Sequence, residues 1–160
     1  MVVGDLVIRS VASADALRAL LAGWWGSTTV VSRGVMHDAS RLPALVAERD
    51  GEIAGVLTYN VCDGELEIVS INAVEPGGGV GTALLAAATE LARAGDCKRV
   101  WLVTTNDNLD ALRFYQRRGL RLVAVHRGAV DDARRLKPSI PEVGEYGIPL
   151  HDELELELRL

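Results

Sequence analysis

Cysteine is nearly missing from this chain of 160 residues: Cys62 and Cys97 stand alone and far apart. That excludes a disulfide framework, and their apolar neighbours predict two small buried hydrophobes. Long apolar runs are missing too. Charged residues interrupt every window that could span a bilayer, and Met1-Val2-Val3-Gly4-Asp5 has no basic start leading into an apolar stretch. No membrane partner and a cytoplasmic location are therefore expected. Basic residues are scattered rather than banked into one run, and the formal net charge is −5. Phosphate backbones need a concentrated cationic face, so nucleic acid is not an expected partner. An acidic surface suits a cationic substrate such as an amine. His37, His126 and His151 lie far apart with no ligand spacing, so no metal is expected. No Ser-His-Asp or Cys-His context surrounds either cysteine, which argues against a covalent acyl-enzyme.

Hydrophobic residues make up 49% of the chain, enough for a core without staples. No repeat or low-complexity linker divides it, and the length fits a single domain over 1–160. Leu6 to Arg9 reads as a strand and Ser13 to Ala22 as a helix capped by Ser13. Gly23 to Arg41, with Trp24 and Trp25, reads as irregular. Leu45 to Arg49 and Ile53 to Val61 flank the hairpin turn Asp50-Gly51, and Asp63-Gly64 makes a second turn before a strand from Glu65 to Val74. A helix is expected from Val80 to Ala94, stopped by Gly95. Strand Arg99 to Thr104, helix Leu109 to Arg118 and strand Leu120 to Val125 follow. This is α/β grammar, so at least one parallel pair is expected beside the antiparallel N-terminal strands. Arg134 to Asp152 reads as a long loop, and alternating leucines from Leu154 to Leu160 as a last strand.

The most informative stretch is Val74-Glu75-Pro76-Gly77-Gly78-Gly79-Val80-Gly81-Thr82. Four glycines in five positions, between a strand and a helix, let the backbone take φ > 0 and approach a ligand. The unpaired N–H groups of the helix's first turn suit a phosphate, and Thr82 can add a hydroxyl. A Walker loop would need Lys where Gly81 stands, and a dinucleotide fingerprint would need Gly where Leu84 stands. A charge at an exposed helix end gains only roughly 0.3–1 kcal/mol, against about 8 kcal/mol for micromolar binding. Contacts along an elongated ligand must supply the rest. A tight turn with no ligand, or another nucleotide-binding α/β protein, are the competing readings at this point.

The second motif runs from Thr104 to Leu120. Together the two motifs resemble the GNAT superfamily of N-acetyltransferases: Asn108, Ala111, Tyr115, Gly119 and Leu120 fall at the family's spacing, as do Gly77, Gly79 and Gly81 after a strand ending in Val74. One departure stands out. The family usually carries Arg or Gln just before the first glycine, and this chain has Pro76, leaving the pyrophosphate to backbone N–H groups and Thr82.

The resemblance implies a GNAT-like α/β mixed sheet, with antiparallel N-terminal strands, a central parallel pair splayed around the cofactor, and flanking helices. It implies acetyl-CoA as co-substrate, held by Ala73, Val74, Gly77, Gly78, Gly79, Val80, Gly81, Thr82, Asn108, Ala111 and Tyr115. The backbone N–H near Ala73 and Val74 would polarise the thioester, and Tyr115 would protonate the departing thiolate. Each also has a plainer reading: Asn108 as a helix N-cap, Tyr115 as a core aromatic. Transfer needs a neutral amine, and Glu67 is the expected base, directly or through water, with Glu65 in reserve on the same face. The strand's hydrophobic phase breaks between Ile68 and Val69, which suggests a bulge. Ser70 and Asn72, expected on the other face, are alternative holders of a deprotonating water. Trp25, Asn72 and Tyr146 are the expected acceptor contacts, with the 137–152 loop as a wall. A small-molecule or peptide amine is the expected acceptor, dimers are common in the family, and a non-catalytic acyl-CoA sensor is the alternative function.

Overall fold

The computed structural model describes residues 5–11, 17 and 29–160. The chain is a mixed α/β protein with a mostly antiparallel sheet, one parallel strand pair and, among the described residues, three α-helices. The helix expected over Ser13–Ala22 and the residues Trp24 and Trp25 lie outside the described residues, apart from Leu17, which is buried. The chain forms two compact units, one built mainly from Asp38–Val100, the other from Thr29–His37 and Trp101–Arg159.

In the first unit, strands β1 (Leu6–Val11), β4 (Ala44–Arg49), β5 (Glu52–Cys62) and β6 (Glu65–Ala73) lie side by side in that order, all antiparallel. The two Asp-Gly turns are what make this possible. Asp50 and Gly51 have φ of 54° and 79°, and Asp63 and Gly64 have φ of 52° and 73°, the paired left-handed geometry that matches the twist of a hairpin. Helix α1 (Val80–Ala94) packs on β4, β5 and β6 through Val80, Leu84, Leu85, Ala88 and Ala92. Its seat is Gly55. A Cβ there would stand 2.5 Å from Val80 Cγ1 and 2.8 Å from the Asn72 carbonyl oxygen, so only glycine lets the start of α1 lie this close to the sheet. Cys97 is buried as expected, but Cys62 is exposed at the end of β5, where the strand runs out of core to face.

The second unit carries β7 (Arg99–Thr105, entering from the first unit), β9 (Glu153–Arg159) and β8 (Arg121–His126) in the order β7-β9-β8, with β8 and β9 antiparallel. Helix α2 (Leu109–Arg117) packs against β8. Two expectations are corrected here. The 29–38 region is a β-hairpin, β2 (Thr29–Ser32) and β3 (Val35–Asp38), turning at Arg33-Gly34 with φ of 49° and 76°. Residues 129–136, which include the start of the expected loop, form helix α3 (Ala129–Leu136). It buries Val130 and Ala133 and is laced by Asp131–Arg134 and Asp132–Arg135 pairs at 2.6 and 3.6 Å, the i,i+3 spacing that supports a short helix.

Candidate active site

The glycine segment opens α1 as the sequence predicts. Val74 through Gly79 are exposed, and Gly77 and Gly79 have φ of 87° and 78°, a region that disfavours any side chain. Gly79 is the helix N-cap, with no side-chain cap and no acidic residue in the first turn. The first ladder bond runs from Ala83 N–H to the Gly79 carbonyl at 3.0 Å. The N–H groups of Val80, Gly81 and Thr82 thus precede the ladder, at the positive end of the helix dipole. An exposed left-handed loop feeding a helix start with no anionic side chain fits a diphosphate.

The strand before the loop distinguishes the N–H groups of Ala73 and Val74. Val74 N–H donates to the Ala54 carbonyl at 2.8 Å, so it is engaged in the ladder. Ala73 pairs with Gly55 in the next register position. Antiparallel pairs alternate between bonded and non-bonded, which points the Ala73 N–H away from β5.

The bulge suggested by the sequence is present. Thr58 pairs with Ser70 and Tyr59 with Ile68, leaving Val69 as the extra residue of β6. Its effect is to change which side chains share a face. Asn72, Ser70, Glu67 and Glu65 pair with Val56, Thr58, Asn60 and Cys62, every second residue of β5, and cross-strand partners share a face. Both glutamates therefore lie with Ser70 and Asn72, on the side opposite Gly55 and α1. Ser70 Oγ is hydrogen-bonded to Thr58 Oγ1. Glu65 is held by Arg99 at 3.1 Å, an ion pair that a general base would have to break. Glu67 is buried at 7% exposure, so it is not a solvated edge residue, whereas Glu65 opens the strand with its side chain half-buried.

In the second unit Asn108 is the N-cap of α2, its Oδ1 accepting from Ala111 N–H at 3.2 Å. The plain structural role assigned to it is thus filled. Tyr115 sits on the buried side of α2, at 7% exposure, edge-on to Phe114 with ring centroids 5.3 Å apart. Burial pushes its hydroxyl up to about 12, so it holds its proton throughout the physiological range. Ala111 is half-buried one turn earlier.

Asp107 is a residue that sequence reasoning missed. It is buried between Thr105 Oγ1 and the Glu145 N–H, the latter at 2.8 Å. A Cβ on Gly144 would overlap its carboxylate. Asn106 adds bonds to the Pro149 carbonyl and to the N–H groups of His151 and Asp152, between 2.8 and 3.1 Å. Together they dock the 137–152 loop onto the junction of β7 and α2. Tyr146 is exposed, has φ of 57°, and donates its hydroxyl to both oxygens of Asp110, at 2.8 and 2.9 Å. The Asp110 carboxylate accepting that proton raises the Tyr146 hydroxyl. The signal for Asp107 was visible as the turn-forming Asn106-Asp107-Asn108 run, but its partner is 38 residues away. Trp25 lies outside the described residues. No group of three or more His, Cys, Asp or Glu among the described residues could hold a metal, and no described helix is long and apolar enough to cross a membrane.

A mixed sheet with a glycine-opened helix and an Asn-capped helix carrying a buried tyrosine defines the acetyltransferase class of the GNAT fold. The chain belongs to the acetyltransferase (GNAT) family, whose model matches residues 15–120. Two Bacillus subtilis (strain 168) proteins are related over most of their length. YdhI is 41% identical over 131 residues, covering 81% of this chain and 82% of its own. YxbD is 38% identical over 143 residues, covering 89% and 90%. Among solved structures the fold matches an IAA acetyltransferase from Bacillus cereus ATCC 14579, with a TM-score of 0.77, 24% identity, and 98% and 100% of the two chains covered. It also matches a Bacillus subtilis acetyltransferase in complex with CoA, at 0.71, 22%, and 98% and 99%.

Proposed function

We propose that this protein moves an acetyl group from acetyl-CoA to a primary amine by direct attack in a ternary complex. The observation that carries the proposal is the exposed left-handed loop Gly77–Gly79 opening a helix with no acidic residue in its first turn. Support also comes from two related folds whose structures hold CoA or acetyl-CoA. Acetyl-CoA, when bound, supplies an activated thioester with a thiolate leaving group.

The protein's own groups then divide the work. N–H groups from the loop through Thr82 receive the diphosphate. The Ala73 N–H polarises the thioester oxygen, a donor fixed in the strand and needing no reorganisation as charge develops. Glu67 takes a proton from the bound ammonium, directly or through a water held with Ser70 and Asn72 on the same face, and the neutral amine so formed attacks the thioester carbon. Tyr115 donates a hydrogen bond to the departing sulfur. Asn108 and Ala111 line the pantetheine arm. Tyr146 and the docked 137–152 loop bound the acceptor, a small-molecule or peptide amine. A cytoplasmic location and a homodimer belong to the same reading.

The test is a turnover screen with acetyl-CoA against pooled primary amines, reading free thiol, beside calorimetry with coenzyme A. Binding together with thiol release that depends on the amine is expected. Binding with no turnover across a broad panel would make the protein an acyl-CoA sensor instead. No binding at saturating coenzyme A would end the proposal.

A further inference from the structure

The glycine loop lacks the basic side chain that the family pattern places before its first glycine, because Pro76 stands there. A diphosphate received by backbone N–H groups alone keeps its negative charge uncompensated. The fold nevertheless brings a cation to the loop from another strand. Arg49, the last residue of β4, donates from Nη2 to the Gly78 carbonyl at 2.9 Å, and a Cβ on Gly78 would come within 3.2 Å of its Nη1. Its neighbour Glu48 is taken by Arg9 at 2.7 Å. Among the described residues no carboxylate pairs with Arg49, and its Nε is buried without a hydrogen-bond partner. Folded proteins rarely leave a buried donor in that state, so an arginine kept there requires a reason.

The Gly78 bond supplies one. In a trans peptide the C=O and N–H point in opposite directions. Drawing the Gly78 carbonyl toward Arg49 turns the Gly79 N–H the other way, next to the N–H groups that begin α1. A guanidinium is also always charged and carries five donors in a fixed fork, of which one is used on the carbonyl. We propose that Arg49 is the cation of the diphosphate loop: a positioning residue that sets the Gly78–Gly79 peptide for anion binding and adds the positive charge that Pro76 excludes. The inference rests on the acetyl-CoA reading above and names a residue for it that neither motif contains.

Calorimetric titration of coenzyme A and of dephospho-coenzyme A (diphosphate kept, 3′-phosphate removed) into wild type, Arg49→Met and Arg49→Lys, at several salt concentrations, tests it. Arg49→Met should bind both ligands roughly 10- to 100-fold more weakly at low salt. That difference should shrink as salt rises, because screening removes the charge-dependent part. Arg49→Lys should keep the wild-type salt dependence. The proposal fails if Arg49→Met binds as wild type does. It fails equally if the loss is the same at every salt concentration, which would mean loop shape alone, or if the loss is confined to coenzyme A, which would mean the 3′-phosphate. Should Arg49→Met not fold, as judged by melting of the free protein, Arg49→Lys decides: a wild-type salt slope supports the role and a flattened one overturns it. A wild-type protein that binds neither ligand removes the acetyl-CoA reading itself, whereas wild-type binding left unaltered in the variants removes only Arg49.

Discussion

Replacing Tyr115 with Phe should lower turnover roughly 10²-fold while coenzyme A affinity moves by less than about threefold, since only a donor aimed at the developing sulfur charge is lost. The expected size follows from burial. A hydroxyl pushed up to about 12 is a weaker acid than a thiol, which titrates near about 8.5. Complete proton transfer from phenol to thiolate is therefore uphill, and the hydrogen bond itself is what remains, at the low end of the roughly 10²–10⁴ associated with general acids. The same burial keeps Tyr115 out of the pH profile, so wild type and Tyr115→Phe should show parallel alkaline limbs. Wild-type rates in the variant would remove Tyr115 from the chemistry. Glu67 gives the complementary result. Glu67→Gln should turn over more slowly with coenzyme A affinity kept, because the acceptor's proton then has no carboxylate to receive it. Wild-type turnover in Glu67→Gln would clear Glu67.

Placing Val at Gly55 should cost roughly 3 kcal/mol of stability, at the upper end of what overpacking usually costs, or about 6–12 °C in melting temperature for a chain of this length. The obstruction is on three sides: Val80 Cγ1 at 2.5 Å, the Asn72 carbonyl oxygen at 2.8 Å and Leu84 Cδ1 at 3.1 Å from the first added carbon. The Asn72 carbonyl is part of β6 and cannot yield, and the buried Val80 and Leu84 side chains have no empty space to rotate into. The start of α1 must lift, and the glycine loop lifts with it, so weaker coenzyme A binding should accompany the lower melting point. A variant melting within about 2 °C of wild type, less than 1 kcal/mol by the same conversion, would show that the helix does not rest on this glycine.

What could be read in advance was what depends on neighbours in sequence. Asp50-Gly51 and Asp63-Gly64 announced their hairpins because Asp and Gly tolerate left-handed φ. Arg33-Gly34 adopts the same geometry, with φ of 49° and 76°, but Arg is a poor signal for it, and that hairpin was hidden. Helix α3 offers two buried positions, Val130 and Ala133, too few for a period to appear. The break at Ile68-Val69 was visible, whereas its consequence was not. Which residues share a face with Glu67 depends on the register against β5, and so on where the extra residue falls. Arg49 reads as the ordinary polar end of a strand; only folding places it 29 residues ahead in the chain, at Gly78.

The Arg33 turn has a consequence for how the chain is made. Its main-chain N–H donates to the buried Glu153 carboxylate at 3.1 Å, and its guanidinium meets Glu155 at 3.2 Å, contacts spanning 120 and 122 residues. On a ribosome adding about 5–20 residues per second, the hairpin would wait roughly 6–24 s for its acceptors to emerge. A cut before Trp101 would therefore leave residues 29–37 of the second unit on the N-terminal piece. A fragment beginning there would carry Glu153 and Glu155 at the core of its last strand without the arginine that reaches them, and a co-expressed N-terminal piece containing Arg33 should be what restores it.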